Sequence, residues 1–333
     1  MIRNIFSIPV HEKPEVVIDQ IMNYKYYNQG CGIVLHLSKN FQYTGSQYNE
    51  NTFFEVLEHL DNVFINPRHV RTGFGDIIQA HLSNFEYVCS VTDFEYFSLG
   101  ASNDLFIKEG LNDFMVEWKA GLKIIPVDID VTWMAAYKAK SDTDLLNMLA
   151  SLNGTVNDIK RSQVEGAFFD KKLFSQIANI VNNSYDFNDI NENQLYAREE
   201  VYFPTIVQFL ISDKEIYTDN YTYNATNSAS WTIYLDDIDR IITSKNNYFC
   251  IKRISRDINN PIRSYVRDYL GEYTNKVQVY ISGVKKISCE EIMLYEKKQK
   301  IIDSKGAIIE IFKKLIKKNK FIRDYIGKTK KKP

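Results

Sequence analysis

Two short apolar runs decide the fold of this chain: IFSIPVH at residues 5–11 and GIVLHL at residues 32–37. Neither run contains an acidic residue, a lysine or an arginine, which is typical of strands buried on both faces of a sheet. Between them, Glu15–Tyr26 repeats apolar side chains at helical spacing. A strand, a helix and a second strand in this order predict a βαβ unit with parallel strands.

The same alternation continues outward from this unit. The sequence predicts helices at Asn51–Leu60 and Gly75–Cys89 and strands at Asn62–Ile65 and Tyr96–Gly100. We therefore expect an α/β fold with a mixed, mostly parallel central sheet flanked by helices. No Pro/Gly/Ser-rich linker interrupts the chain, and we predict a catalytic domain at residues 1–260 and a C-terminal helical extension with a basic tail at 261–333.

Composition indicates a globular protein rather than a disordered one. The 333 residues are 44% apolar and 14% aromatic, which is ample for a buried core. The four cysteines are far apart and lack metal-ligand or CxxC spacing, so buried thiols are expected. No apolar stretch has the length of a secretory signal or a membrane span, and we expect a cytoplasmic location.

The sequence contains few of the known nucleotide- and metal-binding motifs. The chain has neither GxxxxGK[ST] nor GxGxxG, which argues against P-loop and dinucleotide-binding proteins. Asp128-Ile129-Asp130 matches the DxD pattern of metal-dependent sugar-nucleotide enzymes, because acids at i and i+2 of a strand share a face. Asp237-Ile238-Asp239 matches as well. His11 and His36 end two strands, at the edge where open α/β sheets bind ligands.

Seven segments, in order, resemble the core-2/I-branching β-1,6-N-acetylglucosaminyltransferase and xylosyltransferase family, glycosyltransferase family 14. REEVYFPTI at residues 198–206 is similar to the family's "PDExxxxT" motif, and YFCIKRI at 248–254 to "LFARKF". The other five are SIPVHEKPEVVIDQI (7–21), IVLHLSKN (33–40), NVFINPRHVRTGFGDIIQAHLSNFEYV (62–88), YFSLGASNDLFIKEG (96–110) and EGAFFDKKLF (165–174). The resemblance implies a GT-A-like fold, a UDP-sugar donor, inversion at the anomeric carbon and no requirement for metal.

The same resemblance assigns a catalytic centre. Glu200 matches the family's catalytic base, which removes the acceptor hydroxyl proton. Lys252 matches the lysine that neutralises the leaving diphosphate, and Arg253 is expected to share that task. The residues alone also allow a plainer interpretation of Glu200, as an acid favoured by the dipole at a helix N-terminus. The family's second diphosphate arginine aligns with Trp231, which leaves Arg240, Arg256 or Arg263 as substitutes.

The resemblance also implies substrate contacts. Val10 and His11 match the nucleotide-binding strand end, while Asp104 matches the acid of the "SGxD" element. Ser38 stands where the family has the Asp of "IHVD", a residue associated with the base, so this contact differs. We expect Asp104 and Glu165 to lie on the acceptor side, with Glu165 binding an acceptor hydroxyl.

The C-terminal tail is electrostatically distinct from the rest. Residues 313–333 hold ten Lys or Arg and one acid, against 31 basic and 41 acidic residues elsewhere. Over residues 307–326 apolar side chains recur at helical spacing with lysines on much of the other face. This pattern is typical of a helix at an anionic membrane surface, but equally of a helix docked on the core with a solvated lysine face. No nucleic-acid-binding module is present.

Together these features predict an inverting, metal-independent glycosyltransferase on the inner face of the bacterial cell membrane. Its expected partners are a nucleotide sugar and a glycan or lipid-linked acceptor of surface polysaccharide assembly, with no cofactor. Two alternatives stay open: a metal-dependent glycosyltransferase using Asp128 and Asp130, and a non-catalytic protein that binds glycans or nucleotide sugars.

Overall fold

The computed structural model describes residues 1–70, 72, 77–127, 134–185, 187, 196–211, 217–225 and 232–318, with backbone alone at 12, 134, 307 and 309–318. Its strands are β1 (Ile2–Glu12), β2 (Gly32–Gln42), β3 (Val63–Ile65), β4 (Phe94–Leu99), β5 (Leu105–Phe106), β6 (Ala120–Gly121), β7 (Ile125–Pro126), β8 (Lys160–Arg161), β9 (Phe168–Asp170), β10 (Tyr217–Thr218), β11 (Thr222–Tyr223) and β12 (Cys250–Ile251). Its helices are α1 (Pro14–Tyr27), α2 (Glu50–Glu58), α3 (Ile77–Val91), α4 (Leu111–Met115), α5 (Met134–Ala139), α6 (Thr143–Ser151), α7 (Lys171–Ser184), α8 (Glu199–Leu210), α9 (Leu235–Thr243), α10 (Pro261–Tyr265), α11 (Thr274–Gln278) and α12 (Cys289–Lys318).

The described strands form one large sheet and two small ones. The large sheet has the order β10-β6-β9-β4-β1-β2-β3, and within it only β9 runs against its neighbours. A three-stranded sheet has the order β11-β12-β5, and β7 pairs with β8. The prediction of an α/β fold with a mixed, mostly parallel central sheet between helices is confirmed.

The two central strands are buried on both faces, which is why their sequences are apolar throughout. Phe6 and Ile8 of β1 face one core cluster, shared with α1 and α2, whereas Ile5 faces the cluster shared with α3, α7 and α8. Likewise Leu35 of β2 faces the first cluster and Val34 the second. This alternation follows from the two-residue period of a strand.

The predicted boundaries hold with small differences. Helix α1 begins at Pro14, because proline fits the first turn, where its missing N–H would have no helical partner. Strand β2 extends five residues beyond the predicted end at Leu37, with Lys39 and Asn40 exposed. The expectation of buried thiols is correct for Cys31 and Cys250 only: Cys89 and Cys289 are exposed, and all four are free.

The beginning of the predicted C-terminal extension packs into the first core cluster. Ile262, Val266, Tyr273 and Val277 are buried there together with α1. Beyond them, α12 continues to Lys318. The helical character of this region is as expected, and the division of the chain at residue 260 stays a prediction.

Among the helices that the structure describes, none combines the length and the hydropathy that a bilayer crossing requires.

Candidate active site

A cleft of about 810 Å³ opens beside β8, β11, β12 and the start of α8. Five cationic side chains and a single carboxylate, Glu200, are among its described lining residues. The lining consists of Lys123, Ile125, Arg161, Ser162, Gln163, Glu200, Asn220, Thr222, Tyr223, Asn224, Arg240, Ile241, Ser244, Asn246, Tyr248, Lys252 and Arg253. A concave site with this excess of positive charge suits an anionic ligand.

A proline in helix α8 explains how Glu200 is fixed at the edge of the cleft. Pro204 has no N–H to give the carbonyl of Glu200, four residues earlier. That carbonyl instead accepts a hydrogen bond from the Ser162 backbone N–H at 2.8 Å. One turn farther, Thr205 Oγ1 accepts from the Lys160 N–H at 2.9 Å. The first turns of α8 are therefore attached to the strand β8 that borders the cleft.

The surroundings of Glu200 make it a stronger base than an ordinary carboxylate. Burial, with the nearby Glu165 carboxylate, raises the pKa of Glu200 to about 7, against the lowering effect of Lys252, Arg253 and Arg161. A carboxyl group with a pKa near neutrality binds a proton more readily than a solvated one, yet a substantial fraction of the molecules carries it ionised at neutral pH. This is a property expected of a general base.

Lys252 is brought to the floor of the cleft by the short strand β12. Its backbone N–H donates to the Tyr223 carbonyl at 3.2 Å, which continues the pairing of β12 with β11. The Lys252 side chain is 5% exposed, and its ammonium lies 2.6 Å from Glu165 Oε2. The next residue, Arg253, has φ +68° and turns the chain into the loop after β12. The structure thus places Glu200, Lys252 and Arg253 in one cleft, and their catalytic and diphosphate-binding roles stay predictions.

Two further acids lie close to this group and are more deeply buried. Burial raises the pKa of Asp104 to about 7, with a further contribution from Glu165. Burial likewise raises the pKa of Glu199 to about 8. Asp104 Oδ2 accepts from the Ala101 N–H at 3.1 Å. Neither Asp104 nor Glu165 is among the described residues that line the cleft, and Glu165 instead pairs with Lys252. Their predicted acceptor contacts stay predictions.

The predicted nucleotide-binding residues form a separate group at the ends of β1 and β2. Thr72 joins the two strand ends, because its Oγ1 shares a hydrogen bond of 2.8 Å with His11 Nδ1 and its N–H donates to Ser38 Oγ at 3.3 Å. Val10 is fully buried and Ser38 is 4% exposed. None of the three predicted residues, Val10, His11 or Ser38, belongs to the described cleft lining.

The candidates for the second diphosphate cation separate clearly. Arg240 lines the cleft, where its guanidinium donates to Tyr223 Oη at 2.6 Å and to Asp237 Oδ1 at 2.8 Å. Arg256 lines a different cavity and donates to Ser102 Oγ at 3.1 Å. The suggestion of Arg263 is wrong, because its side chain is wholly buried and its Nη1 lies 2.7 Å from Asp19 Oδ2. Trp231 lies outside the described residues.

The two DxD patterns have different outcomes. Asp128 and Asp130 lie outside the described residues. Asp237 and Asp239 lie on helix α9, so acids two positions apart project to different sides and the strand-based argument for a shared metal fails there. Within the described part of the chain, no group of three or more His, Cys, Asp or Glu side chains is arranged to hold a metal ion.

Sequence reasoning missed several cleft residues. Lys123 and Arg161 come from different segments, and Arg161 reaches the cleft because it pairs across the β7–β8 ladder with Ile125, another lining residue. Tyr223 and Tyr248 form an edge-to-face pair with ring centroids 5.4 Å apart. Tyr248 belongs to the segment that resembles the family's lysine motif, but that resemblance assigns a role to Lys252 and not to the tyrosine. No sequence signal points to Lys123 or Arg161.

Comparison with known proteins gives little more. No family model matches the chain, and no curated protein matches it. Among solved structures, one similar chain is the galactosyltransferase LgtC in complex with donor and acceptor sugar analogues. The match has 10% sequence identity and a TM-score of 0.37, and covers 85% of this chain and 98% of that one. A likeness at this level establishes neither a shared family nor a shared activity.

Proposed function

We propose that the cleft is the active site of an inverting, metal-independent glycosyltransferase with a nucleotide-sugar donor, and the resemblance to family 14 favours a UDP-sugar. One observation carries the proposal: Glu200, the sole carboxylate among the described lining residues, has a pKa raised to about 7 and shares the cleft with Lys252 and Arg253. A base and a cationic leaving-group site are the two elements that metal-free glycosyl transfer needs.

In the proposed reaction, the ionised Glu200 carboxylate removes the proton of the acceptor hydroxyl. The acceptor oxygen forms a bond to the anomeric carbon from the face opposite the leaving group, and the bond from that carbon to the diphosphate oxygen breaks. The nucleoside diphosphate leaves with the electron pair, and Lys252 and Arg253 stabilise its negative charge. The proton ends on Glu200, and the configuration at the anomeric carbon is inverted.

In the proposed reaction, the Lys252 ammonium has a negative partner both before and after the donor binds. Before the donor binds, Glu165 Oε2 lies 2.6 Å from the buried Lys252 Nζ and neutralises its charge. The lysine is therefore not an unpaired buried charge, which would destabilise the protein. A donor diphosphate brings its own negative charge to the ammonium and competes with Glu165 for it. In this scheme Glu165 holds Lys252 in place, a role that differs from the expected binding of an acceptor hydroxyl.

The test is a panel of UDP-, GDP-, CMP- and dTDP-sugars, assayed for release of free sugar and for transfer to candidate acceptors, with and without excess EDTA. We expect turnover of one donor class that survives chelation. Activity lost with EDTA and restored by manganese would favour the metal-dependent alternative with Asp128 and Asp130. Nucleotide-sugar binding without any turnover would favour the non-catalytic alternative.

We propose further that the enzyme works on the inner face of the cell membrane, on a glycan or lipid-linked acceptor of surface polysaccharide assembly. The support is the amphipathic pattern of residues 307–326 and the ten Lys or Arg of residues 313–333. Lysines near an anionic surface contribute about 1 kcal/mol each, an effect that salt screens. Removal of residues 313–333 should release the protein from vesicles rich in phosphatidylglycerol while free-sugar release continues. Retention on the vesicles would contradict this location.

A further inference from the structure

The start of helix α8 is held in an unusual way. At the N-cap position, Arg198 has helical backbone angles of φ −61° and ψ −38°, and its side chain makes no capping hydrogen bond. The Arg198 guanidinium instead lies over the rings of Tyr185 and Tyr196, 4.8 and 5.0 Å from their centroids. Its Nε lies 3.4 Å from Asp142 Oδ2. Cation–π contacts and a buried ion pair therefore anchor this end of the helix.

Asp142 connects this cluster to a second helix, because its two carboxylate oxygens serve different elements. Oδ1 caps helix α6 by accepting from the N–H groups of Asp144 and Leu145 at 3.1 and 3.2 Å. Oδ2 accepts from Tyr196 Oη at 2.6 Å and from Tyr202 Oη at 3.2 Å, beside the Arg198 contact. The cap fixes the carboxylate on α6, so the groups that bind Oδ2 are fixed as well.

The spacing of these contacts along α8 determines where Glu200 points. Arg198 and Tyr202 are four residues apart and share one face of the helix, and both contact Asp142 Oδ2. Glu200 lies midway between them, a rotation of about 200° from Arg198, and so projects from the opposite face. That face borders the cleft. The contacts that anchor one side of the helix thus orient the carboxylate on the other.

We propose that Asp142 is a positioning residue that acts through Arg198 and Tyr202 to hold the Glu200 carboxylate at its working place in the cleft. The inference rests on the proposed role of Glu200 as the base. The cluster is nearly closed to solvent, with side-chain exposures of 5% for Arg198 and 7% for Asp142. Displacement of a catalytic group by about 1 Å costs up to about 10²-fold in rate, so loss of this anchor has a measurable effect.

The experiment is a double-mutant cycle with the base. Tyr202→Phe, which removes one hydroxyl, and Asp142→Asn are each made in the wild type and in the Glu200→Gln variant. Release of free sugar from the nucleotide sugar identified by the donor panel gives kcat, and calorimetry gives the Kd for UDP. In the wild type we expect kcat to fall by about tenfold with the Kd for UDP unchanged, because Lys252 lies on another element. In the Glu200→Gln background we expect neither variant to lower kcat further.

Tyr273→Phe is the matched control for the loss of a buried hydroxyl. Tyr273 Oη accepts from Asn23 Nδ2 at 3.0 Å in the other core cluster, and the control should keep the wild-type kcat. A fall in kcat of equal size in both backgrounds, or no fall with Tyr202→Phe, would overturn the positioning role. Wild-type kcat in Glu200→Gln itself would instead contradict the proposed function. If Asp142→Asn does not fold, Tyr202→Phe decides the question alone.

Discussion

Two clusters, each of which combines carboxylates with basic side chains, differ in how completely their carboxylates are paired with cations. In the core, the two carboxylate oxygens of Asp19 face Arg263 and Arg267 at 2.7 and 3.1 Å, and all three side chains are fully buried. At the cleft, Lys252 pairs with Glu165 at 2.6 Å, while Asp104, Glu199 and Glu200 are close enough for Glu165 to raise the pKa of each.

The difference separates a cluster that stabilises the fold from one that is suited to chemistry. Each oxygen of Asp19 has its own arginine, and the pair of arginines ties α1 to the helical region after residue 260. Glu200 in the cleft and the buried Asp104 and Glu199 near it have pKa values raised toward or above neutrality, because burial disfavours their ionised form. Carboxyl groups whose pKa is raised by burial and by neighbouring charges are typical of functional sites.

The largest expected effect concerns the core cluster. Asp19→Asn removes the negative charge between two buried arginines and should lower the free energy of unfolding by about 3–5 kcal/mol. Urea denaturation measures this change. The folded fraction should bind UDP with the Kd of the wild type, because Asp19 is not among the described residues that line the cleft.

Asp93→Asn is the control for this prediction. Asp93 pairs with Lys171 at 2.8 Å, but its side chain is 70% exposed, so the loss of this surface pair should change stability little. Equal destabilisation by Asp19→Asn and Asp93→Asn would show that the comparison between buried and exposed pairs fails here.

A smaller effect is expected for Lys252→Ala. If the ammonium binds a diphosphate, the variant should weaken UDP binding by tenfold or more and leave uridine binding nearly unchanged. Calorimetry with the two ligands gives the ratio. The exposed Lys172→Ala removes the same charge outside the described cleft lining and should weaken neither ligand. Equal weakening of UDP and uridine by Lys252→Ala would indicate a structural lysine.

The smallest effect is a shift in pH dependence. Because Glu200 acts when ionised and its pKa is about 7, kcat/KM should rise with pH through that range and fall below it. Glu165 raises this pKa, so Glu165→Gln should move the acidic limb of the kcat/KM profile to lower pH. An acidic limb that stays at the same pH in Glu165→Gln, or moves to higher pH, would show that Glu165 does not raise the pKa of Glu200.

Much of the fold could be predicted from local pattern, but only part of the site. The strands at residues 5–11 and 32–37 are apolar on both faces, which leaves few alternatives to a buried sheet. Glu200 and Lys252 were found through the order of motifs along the chain. Arg161 reaches the cleft through the pairing of β8 with β7, which is distant in sequence, and Lys123 lies between the short strands β6 and β7. Arg263 was misassigned because its burial depends on Asp19, more than two hundred residues earlier.

The most direct test of the central claim compares Glu200→Gln with Glu199→Gln across pH. Glu199 is buried with a pKa of about 8, so it is already protonated in most molecules at pH 7, and glutamine replaces it almost isosterically. We measure free-sugar release from the accepted nucleotide sugar for both variants and UDP binding as a check on folding. Glu200→Gln should lose about 10²-fold or more in kcat together with the acidic limb near pH 7, while Glu199→Gln keeps both. Wild-type turnover with an unchanged acidic limb in Glu200→Gln would contradict the assignment of the base.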